Sequence, residues 1–273
     1  SRVTELYGSV YRLGGRYRHF YDYENAVFGV DSKTEILMIS DLQKPIFQQF
    51  YQTPSERMHM LPPGVARDRI APINAAEVRA EFRREFNLED DQKLLLMVGS
   101  GFKTKGVDRS ISAWSNLPEK LRDKTQLFVI GQDNPKAILR QVKHLGLEDQ
   151  FRVFAGRDDV PRFMLSADLL LHPARHENTG TVLVEAIVAG LPVLATDVCG
   201  YAHFITDADM GAVLASPYSD SMMQRNIQFL LEQDPQQWDI WRQRGKAFAE
   251  STDVYNMPSV AAEKIIQVAQ AKN

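Results

Sequence analysis

Two glutamates at a strand-to-helix junction are the residues of this chain best suited to bind a polar ligand. A short apolar run ends at Leu171, and a helix is predicted to begin near Gly180. The first N–H groups of a helix have no partners within it, so those of residues 178–181 can bind an anion or sugar hydroxyls. Glu177 lies beside that anion site. Glu185 follows about two turns into the helix, where its carboxylate can accept hydrogen bonds from two hydroxyls of a ribose.

The same two glutamates also have a purely structural interpretation. Glu177 can be an acid that the helix dipole favours at a helix N-terminus, and Glu185 can lie on a solvated helix face. For a single glutamate, that interpretation would be the better one. Two glutamates that frame one junction favour the binding site.

A loop rich in glycine and lysine follows an earlier apolar run, which ends at Val98. Residues 99–106 place Lys103 and Lys105 at the carboxyl end of a predicted strand, where a pyrophosphate would need cations. The loop lacks the third glycine of a dinucleotide fingerprint, and Val107 stands where a Walker loop requires lysine. The alternative is that both lysines are solvated loop residues.

The remaining pattern indicates what positions these loops. From residue 93 onward, short apolar runs alternate with helical patterns, which predicts an α/β fold with a doubly wound, Rossmann-like parallel sheet. Ligands of such sheets bind at the carboxyl ends of the strands. The predicted strands cover residues 94–98, 126–130, 151–154, 168–171 and 192–195, and the predicted helices cover 107–117, 135–145, 159–166 and 180–189. Residues 219–273 are expected to form two or three amphipathic helices.

The first 72 residues have a different organisation. A helix is predicted over 2–28, a strand over 34–40, a helix over 41–52 and a short strand over 58–61. Two strands are too few for a domain of this class. We therefore expect a boundary near residue 72, with the main domain over 73–273.

The amino-terminal segment combines arginines with aromatic residues. Residues 1–20 carry four arginines against a single acid, and five of the nine tyrosines lie among the first 23 residues. This combination on a helix over 1–28 suits an anionic membrane surface, where each basic residue adds about 1 kcal/mol. The alternative is that the aromatic residues pack against the rest of the protein, because three glycines weaken an interfacial helix.

Composition excludes several classes. The 273 residues carry a net charge of −3, so no global basic field indicates nucleic acid as a partner. No apolar run approaches the ~20 residues of a spanning helix, and residues 1–5 do not resemble a signal peptide. Cys199 is the only cysteine, which excludes disulfide scaffolds and predicts a reduced, cytoplasmic compartment. His172 and His176 lack metal-ligand spacing, so no metal is expected.

The paired glutamates carry a family resemblance. Two glutamates separated by seven residues, followed by Gly190-Leu191-Pro192-Val193, resemble the signature of the family-four retaining glycosyltransferases, which have the GT-B fold. The resemblance implies that the first glutamate and the backbone after it hold the donor sugar and its phosphates, and that the second binds the ribose. By position these residues are Glu177 with Asn178, Thr179 and Gly180, and then Glu185. The family often has Gly-Phe-Gly after the first glutamate, so side-chain contacts at 178–180 are left open.

The resemblance also implies roles for cations. In the family, an arginine after the first glycine of the loop and a lysine before its last glycine clamp the diphosphate. Lys105 matches the lysine, whereas Ser100 occupies the arginine position, so Lys103 or Arg69 is expected to substitute. Arg157, in the turn after a strand, is the candidate for contact with uracil. A plain helix start explains the two acids that follow it equally well.

Further motifs resemble the lipopolysaccharide core glucosyltransferases of Gram-negative bacteria along nearly the whole chain. These motifs are Arg16-Tyr17-Arg18-His19, Leu61-Pro62-Pro63-Gly64, residues 105–110, Gly131-Gln132-Asp133, residues 169–174 and residues 198–203. The resemblance implies retaining, metal-independent transfer of glucose from UDP-glucose to an inner-core heptose, without a cofactor. It places the enzyme peripherally at the cytoplasmic face of the inner membrane, with Glu177 and Lys105 as the catalytic residues.

The same resemblance implies a GT-B donor domain with the tail end of the acceptor domain attached. About one hundred residues that precede this region in such enzymes hold most of the acceptor domain, so the chain alone is expected to be incomplete and inactive. Two alternatives stay open. One is another GT-B transferase with a different sugar nucleotide or acceptor, and the other is a nucleotide-sugar-binding module without activity.

Overall fold

The computed structural model describes residues 15–271, with side chains from residue 18 onward. The expectations for residues 1–14, including the start of the amino-terminal helix, lie outside the described residues. The chain forms two compact units, Ser1–Leu61 with Pro258–Asn273, and Pro62–Met257. The boundary predicted near residue 72 falls inside the second unit.

The larger unit is built around a six-stranded, all-parallel sheet with the strand order β5-β4-β3-β6-β7-β8. Its strands are β3 Lys93–Val98, β4 Thr125–Ile130, β5 Phe151–Phe154, β6 Leu169–His172, β7 Val193–Thr196 and β8 Gly211–Leu214. Its helices are α3 Ala75–Glu85, α4 Phe102–Lys105, α5 Val107–Ser115, α6 Glu119–Arg122, α7 Lys136–His144, α8 Val160–Ser166, α9 Thr181–Val188, α10 Ala202–Asp207, α11 Asp220–Leu231 and α12 Pro235–Ser251. Single turns of 3-10 helix cover Arg67–Arg69 and Glu148–Gln150.

Burial on both faces explains why the central strands are almost entirely apolar. Leu94, Leu95 and Leu96 of β3 have no exposed surface, and the same holds for residues 169–171 of β6. Helices cover both faces of a sheet of this kind, so its central strands have no solvated side. The predicted fold class, an α/β Rossmann-like sheet, is confirmed, as are the five strands predicted from residue 93 onward. The short edge strand β8 was not predicted.

The strand order reverses between β3 and β6, which are neighbours in the sheet although β4 and β5 lie between them in the chain. Leu95 is in register with Leu169, and Leu96 with Leu170. Chain connections leave this pair in opposite directions, so the loops after β3 and β6 open a crevice at the carboxyl edge of the sheet. These are the two loops that the sequence singled out.

The opposite, amino-terminal edge of the sheet is tied together by one buried carboxylate. Asp168 precedes β6 and its side chain is only 5% exposed. Its Oδ1 accepts a hydrogen bond from Arg79 Nη2 at 2.6 Å, and its Oδ2 accepts one from the backbone N–H of Leu94 at 2.7 Å. The carboxylate thereby joins β6 to β3 and to helix α3.

The smaller unit contains a two-stranded parallel sheet. Its elements are α1 Gly15–Phe28, β1 Ile36–Met38, α2 Lys44–Tyr51, β2 Met58–Met60 and α13 Met257–Gln270, with 3-10 turns at Asp41–Gln43 and Ser55–Arg57. Arg57 is buried, and its guanidinium donates to the carbonyls of Val27, Gly29 and Thr34 at 2.6–2.9 Å. The described part of this unit agrees with the predicted order of helix, strand, helix and strand.

Removal of the Asp168 carboxylate should destabilise the larger unit. The substitution Asp168→Ala removes the acceptor of Arg79 Nη2 and of the Leu94 N–H, while Arg79 Nη1 keeps its hydrogen bonds to the Ser166 and Ala167 carbonyls. We expect it to lower the free energy of unfolding in urea by about 3 kcal/mol. Asp239→Ala is the control, because Asp239 pairs with Arg242 on the surface and its side chain is 68% exposed. An equal loss in both variants would contradict the role assigned to Asp168.

Candidate active site

The loops after β3 and β6 touch at a glycine. Gly106 follows helix α4 with φ of 77°, a left-handed conformation that favours glycine. A Cβ atom at Gly106 would lie 2.2 Å from the carbonyl oxygen of Pro173, which is in the loop after β6. The last glycine of the lysine-rich loop is therefore required both by its backbone conformation and by this close approach.

An ion pair clamps the same two loops. Both terminal nitrogens of the Arg175 guanidinium, Nη1 and Nη2, donate to the Asp108 carboxylate, at 2.7 and 2.8 Å. Arg175 also donates to the carbonyl of Lys103 at 2.7 Å through its side chain, and to that of Thr104 at 2.8 Å through its backbone N–H. The pairing lowers the pKa of Asp108 against the opposing effect of burial. Helix α4 is consequently held against the loop that carries Glu177.

Lys105 and Glu177 meet in this crevice. Lys105 Nζ donates to Glu177 Oε2, and His172 Nε2 lies 3.2 Å from the same oxygen. The Glu177 side chain is 12% exposed and that of His172 is 2% exposed. Burial raises the pKa of Glu177, but the hydrogen bonds from His172 and Lys105 outweigh it and lower the pKa to about 2. Glu177 is therefore a carboxylate at neutral pH.

Helix α9 begins one residue after Gly180, close to the predicted start. Gly180 is its N-cap residue, with φ of 82°. The backbone N–H of Asn178, predicted to be available to a ligand, donates to Glu177 Oε1 at 3.1 Å. The backbone of Thr179 is also engaged, because its carbonyl accepts from Tyr201 N–H at 2.8 Å. The junction is thus fixed by its own hydrogen bonds, and Glu177 is oriented through both carboxylate oxygens.

Glu185 lies on α9 beside Arg69, not on a solvated face. The two side chains are 21% and 23% exposed, and Arg69 Nε is 3.6 Å from Glu185 Oε1. Burial raises the pKa of Glu185, and the charge of Arg69 opposes that effect. Nη1 of Arg69 is buried, and within residues 15–271 no hydrogen-bond partner reaches it. The pair offers a carboxylate acceptor and a cationic donor side by side.

Two predicted cations are not part of either cluster. Lys103 is 79% exposed, and its Nζ lies 3.0 Å from Asp108. Arg157 donates to both oxygens of Asp159 at 2.6 and 2.8 Å and lies over the Phe163 ring at 5.0 Å. The structure therefore brings together Lys105 with Glu177, and Arg69 with Glu185. A ligand contact by Lys103 or Arg157 stays a prediction.

Two residues of the site were not predicted from the sequence. His172 was noted for its lack of metal-ligand spacing and as part of the motif over residues 169–174, and its contact with Glu177 was not foreseen. Asp133, after β4, accepts hydrogen bonds from the backbone N–H groups of Gly101 and Phe102. Its sequence signals were its place shortly after an apolar run and its presence in the motif Gly131-Gln132-Asp133. Cys199 is buried, and burial raises the pKa of its thiol to about 12.

Metal ligands do not cluster in the described part of the chain. No group of three or more His, Cys, Asp or Glu side chains within residues 15–271 is arranged to hold a metal ion. Metal-independent chemistry stays a prediction that only an assay can test.

Comparison with known proteins decides the family. A profile of the family "Glycosyl transferases group 1" matches residues 78–248. Over 264 residues the chain is 44% identical to the lipopolysaccharide glucosyltransferase WaaG of Escherichia coli (strain K12). The chain belongs to the group 1 glycosyltransferases. That alignment covers 97% of this chain and 70% of WaaG.

Solved structures of the family agree with this assignment. A crystal structure of WaaG, described as a glycosyltransferase involved in lipopolysaccharide biosynthesis, matches 97% of this chain and 71% of its own with a TM-score of 0.88 at 43% identity. Anabaena HepE, crystallised with UDP-glucose, matches 92% of this chain and 67% of its own with a TM-score of 0.76 at 20% identity, which shows a shared fold. The resemblance stated from the sequence and its GT-B fold are confirmed.

The lowered pKa of Glu177 predicts a pH-dependent contribution to stability. A carboxylate whose pKa falls on folding stabilises the protein above its unfolded pKa, here 4.5, and this contribution is lost as the pH falls toward its folded pKa. In Glu177→Gln, the loss of unfolding free energy between about pH 6 and about pH 3 should be smaller than in the parent by about 2 kcal/mol. Urea unfolding at both pH values measures this difference. Equal losses would mean that Glu177 is not held as the structure has it.

Proposed function

We propose that this chain carries the donor-binding half of a retaining glucosyltransferase that moves glucose from UDP-glucose to an inner-core heptose of lipopolysaccharide. In this proposal the larger unit, Pro62–Met257, is the donor domain, and the smaller unit is the tail end of the acceptor domain. The contact of Lys105 with Glu177 at the point where the strand order reverses carries the proposal. The 44% identity to WaaG, a lipopolysaccharide glucosyltransferase, supports the choice of sugar and pathway.

The chemistry follows from the charges of the crevice. Cleavage of the bond between sugar and diphosphate leaves negative charge on the departing UDP. Lys105 stabilises that charge from a position fixed before reaction. Glu177, ionised at neutral pH, accepts hydrogen bonds from sugar hydroxyls and orients the ring. His172 and the Asn178 N–H hold the carboxylate in place while it does so.

The second cluster fits the nucleoside. Glu185 can accept hydrogen bonds from the ribose hydroxyls, and Arg69 can donate to an adjacent phosphate through its buried Nη1, which has no partner within residues 15–271. A phosphate at this position would replace the interaction with water that burial removes from the guanidinium. In this proposal, side chains supply the cationic charge for the diphosphate. No metal or other cofactor is then needed.

Binding of UDP tests the donor site. Lys105→Ala should weaken UDP about tenfold in calorimetry, because it removes the cation that faces the diphosphate. Glu185→Ala should weaken UDP more than inorganic pyrophosphate, because its proposed partner is the ribose. Lys124→Ala is the matched control, since Lys124 pairs with Asp91 before the start of β4. Unchanged affinity in Lys105→Ala would remove this lysine from the site.

Turnover separates the transferase from a binding module. The 273-residue chain is expected to bind UDP-glucose weakly and to transfer no glucose to a heptose acceptor. Joined to the part of WaaG that it does not match, it should transfer glucose without added divalent metal, also in the presence of EDTA. Preference for UDP-galactose, or binding without turnover, would support the alternatives of another donor or of a module without activity.

A membrane-bound acceptor calls for a membrane-facing surface, and we propose that α1 provides one. The described part of α1 exposes Tyr23 by 62% and Val27 by 39%, and Arg18 on the same helix is also exposed. Within residues 15–271, no helix combines the length and apolar character that crossing a membrane requires. A peripheral contact of residues 1–28 with the anionic inner-membrane surface at its cytoplasmic face fits these observations.

Vesicle binding tests this surface. The chain should bind vesicles that contain anionic lipid more tightly than neutral vesicles, with a preference that fades as salt rises. Replacement of Arg16 and Arg18 by glutamine should weaken that preference, whereas Arg122→Gln with Arg140→Gln, in the larger unit, should not. Equal binding to both vesicle types would contradict the electrostatic part of the proposal.

A further inference from the structure

A carboxylate from the loop after β4 caps the turn that carries Lys105. Asp133 Oδ2 accepts hydrogen bonds from the backbone N–H groups of Gly101 and Phe102, the second at 2.7 Å. Helix α4 begins at Phe102, so these are N–H groups at the start of its single turn. Such groups have no partner within a helix, and a carboxylate is their strongest acceptor.

The position of helix α4 depends on contacts with its neighbours. Helix α4 has four residues between two glycines in left-handed conformation, Gly101 with φ of 82° and Gly106 with φ of 77°. A single helical turn is unstable in isolation, so its orientation is set by what holds its ends. Gly106 against Pro173 fixes the carboxyl end, and Asp133 fixes the amino end. Lys105 is the last residue of the turn.

Asp133 follows β4, and the pairing of β4 with β3 holds the loops after both strands in place. Strands β3 and β4 are paired along their full length, and the pairing continues past their ends, where Gly99 N–H donates to the Ile130 carbonyl at 2.9 Å. Gln132 N–H donates to Ser100 Oγ at 3.1 Å. A Cβ at Gly131 would lie 2.7 Å from the Gly99 carbonyl oxygen, so the two loops are packed as closely as their backbones allow.

We propose that Asp133 is a positioning residue that places Lys105 against the diphosphate of the donor. The proposal rests on the proposed function, since it assumes that Lys105 binds the diphosphate. The role proposed for Asp133 is to hold Lys105 in position. Its charge cannot favour binding directly, because a carboxylate repels a nearby diphosphate. Loss of the carboxylate would tighten UDP binding if charge dominated, and would weaken it if the position of Lys105 dominated.

A double-mutant cycle with UDP as the probe tests this assignment. Calorimetry on the 273-residue chain should show UDP binding weakened about fivefold in Asp133→Ala and nearly unchanged in Asp133→Asn, which keeps an acceptor for the two N–H groups. In the background of Lys105→Ala, the further effect of Asp133→Ala should fall below about twofold, because the residue acts through the lysine. Asp253→Ala is the control, since Asp253 also accepts from two loop N–H groups, those of Tyr255 and Asn256.

The outcomes separate the two proposals. If the parent chain does not bind UDP, the proposed function fails. If the parent binds UDP and Asp133→Ala binds it equally or more tightly, the role of Asp133 is overturned. The role is also overturned if Asp133→Ala weakens UDP binding as much in the Lys105→Ala background as in the parent. A thermal melt of each variant shows whether it is folded. If Asp133→Ala does not fold, the cycle is run with Asp133→Ser, and a loss that occurs only where Lys105 is retained supports the proposal.

Discussion

The ion pair between Lys105 and Glu177 is the interaction on which the geometry of the crevice depends. A buried carboxylate is costly unless a partner and further hydrogen bonds satisfy it. Lys105, His172 and the Asn178 N–H together supply what Glu177 needs. The lysine can reach it only because the two loops approach at Gly106, where any side chain would collide with Pro173. The need to satisfy the buried Glu177 carboxylate therefore explains the glycine at position 106, the burial of His172 and the close approach of the loops after β3 and β6.

Buried charged groups on the two sides of the sheet differ in how many hydrogen-bond partners they have. At the amino edge, each oxygen of the Asp168 carboxylate accepts a hydrogen bond, one from Arg79 and one from the Leu94 N–H. Within the described residues, Arg69 beside α9 has buried Nε and Nη1 atoms without hydrogen-bond partners, and Lys105 at the carboxyl edge has one acceptor for three protons. Lys105 therefore keeps hydrogen-bonding capacity at the point where the strand order reverses. A polar ligand bound there would satisfy groups that the fold leaves unsatisfied.

Local sequence pattern was sufficient for most of the fold. The central strands are short apolar runs because they are covered on both faces, and that property is visible in the sequence without any knowledge of their partners. The strand β8 was missed because Gly211–Leu214 is short, begins with glycine and is only partly buried, so its composition does not distinguish it from a loop. Residues 211–214 form a strand because they pair with β7.

Only those residues of the site that have a local sequence signal were predicted. Glu177, Glu185 and Lys105 were found from spacing and from the family resemblance, whereas the contact of Asp133 with Gly101 depends on the pairing of β3 with β4.

The state of Glu177 limits what it can do in a glycosyl transfer. A general base works best with a pKa near the operating pH, whereas hydrogen bonds from His172 and Lys105 bring the pKa of Glu177 to about 2. A carboxylate of such low basicity is a poor proton acceptor at neutral pH but a strong, fixed hydrogen-bond acceptor. Under the proposed function, its contribution is to orient a hydroxylated ligand and to compensate the Lys105 charge in the absence of a diphosphate. The same proposal then assigns proton transfer from the acceptor hydroxyl to another group, such as an oxygen of the departing phosphate.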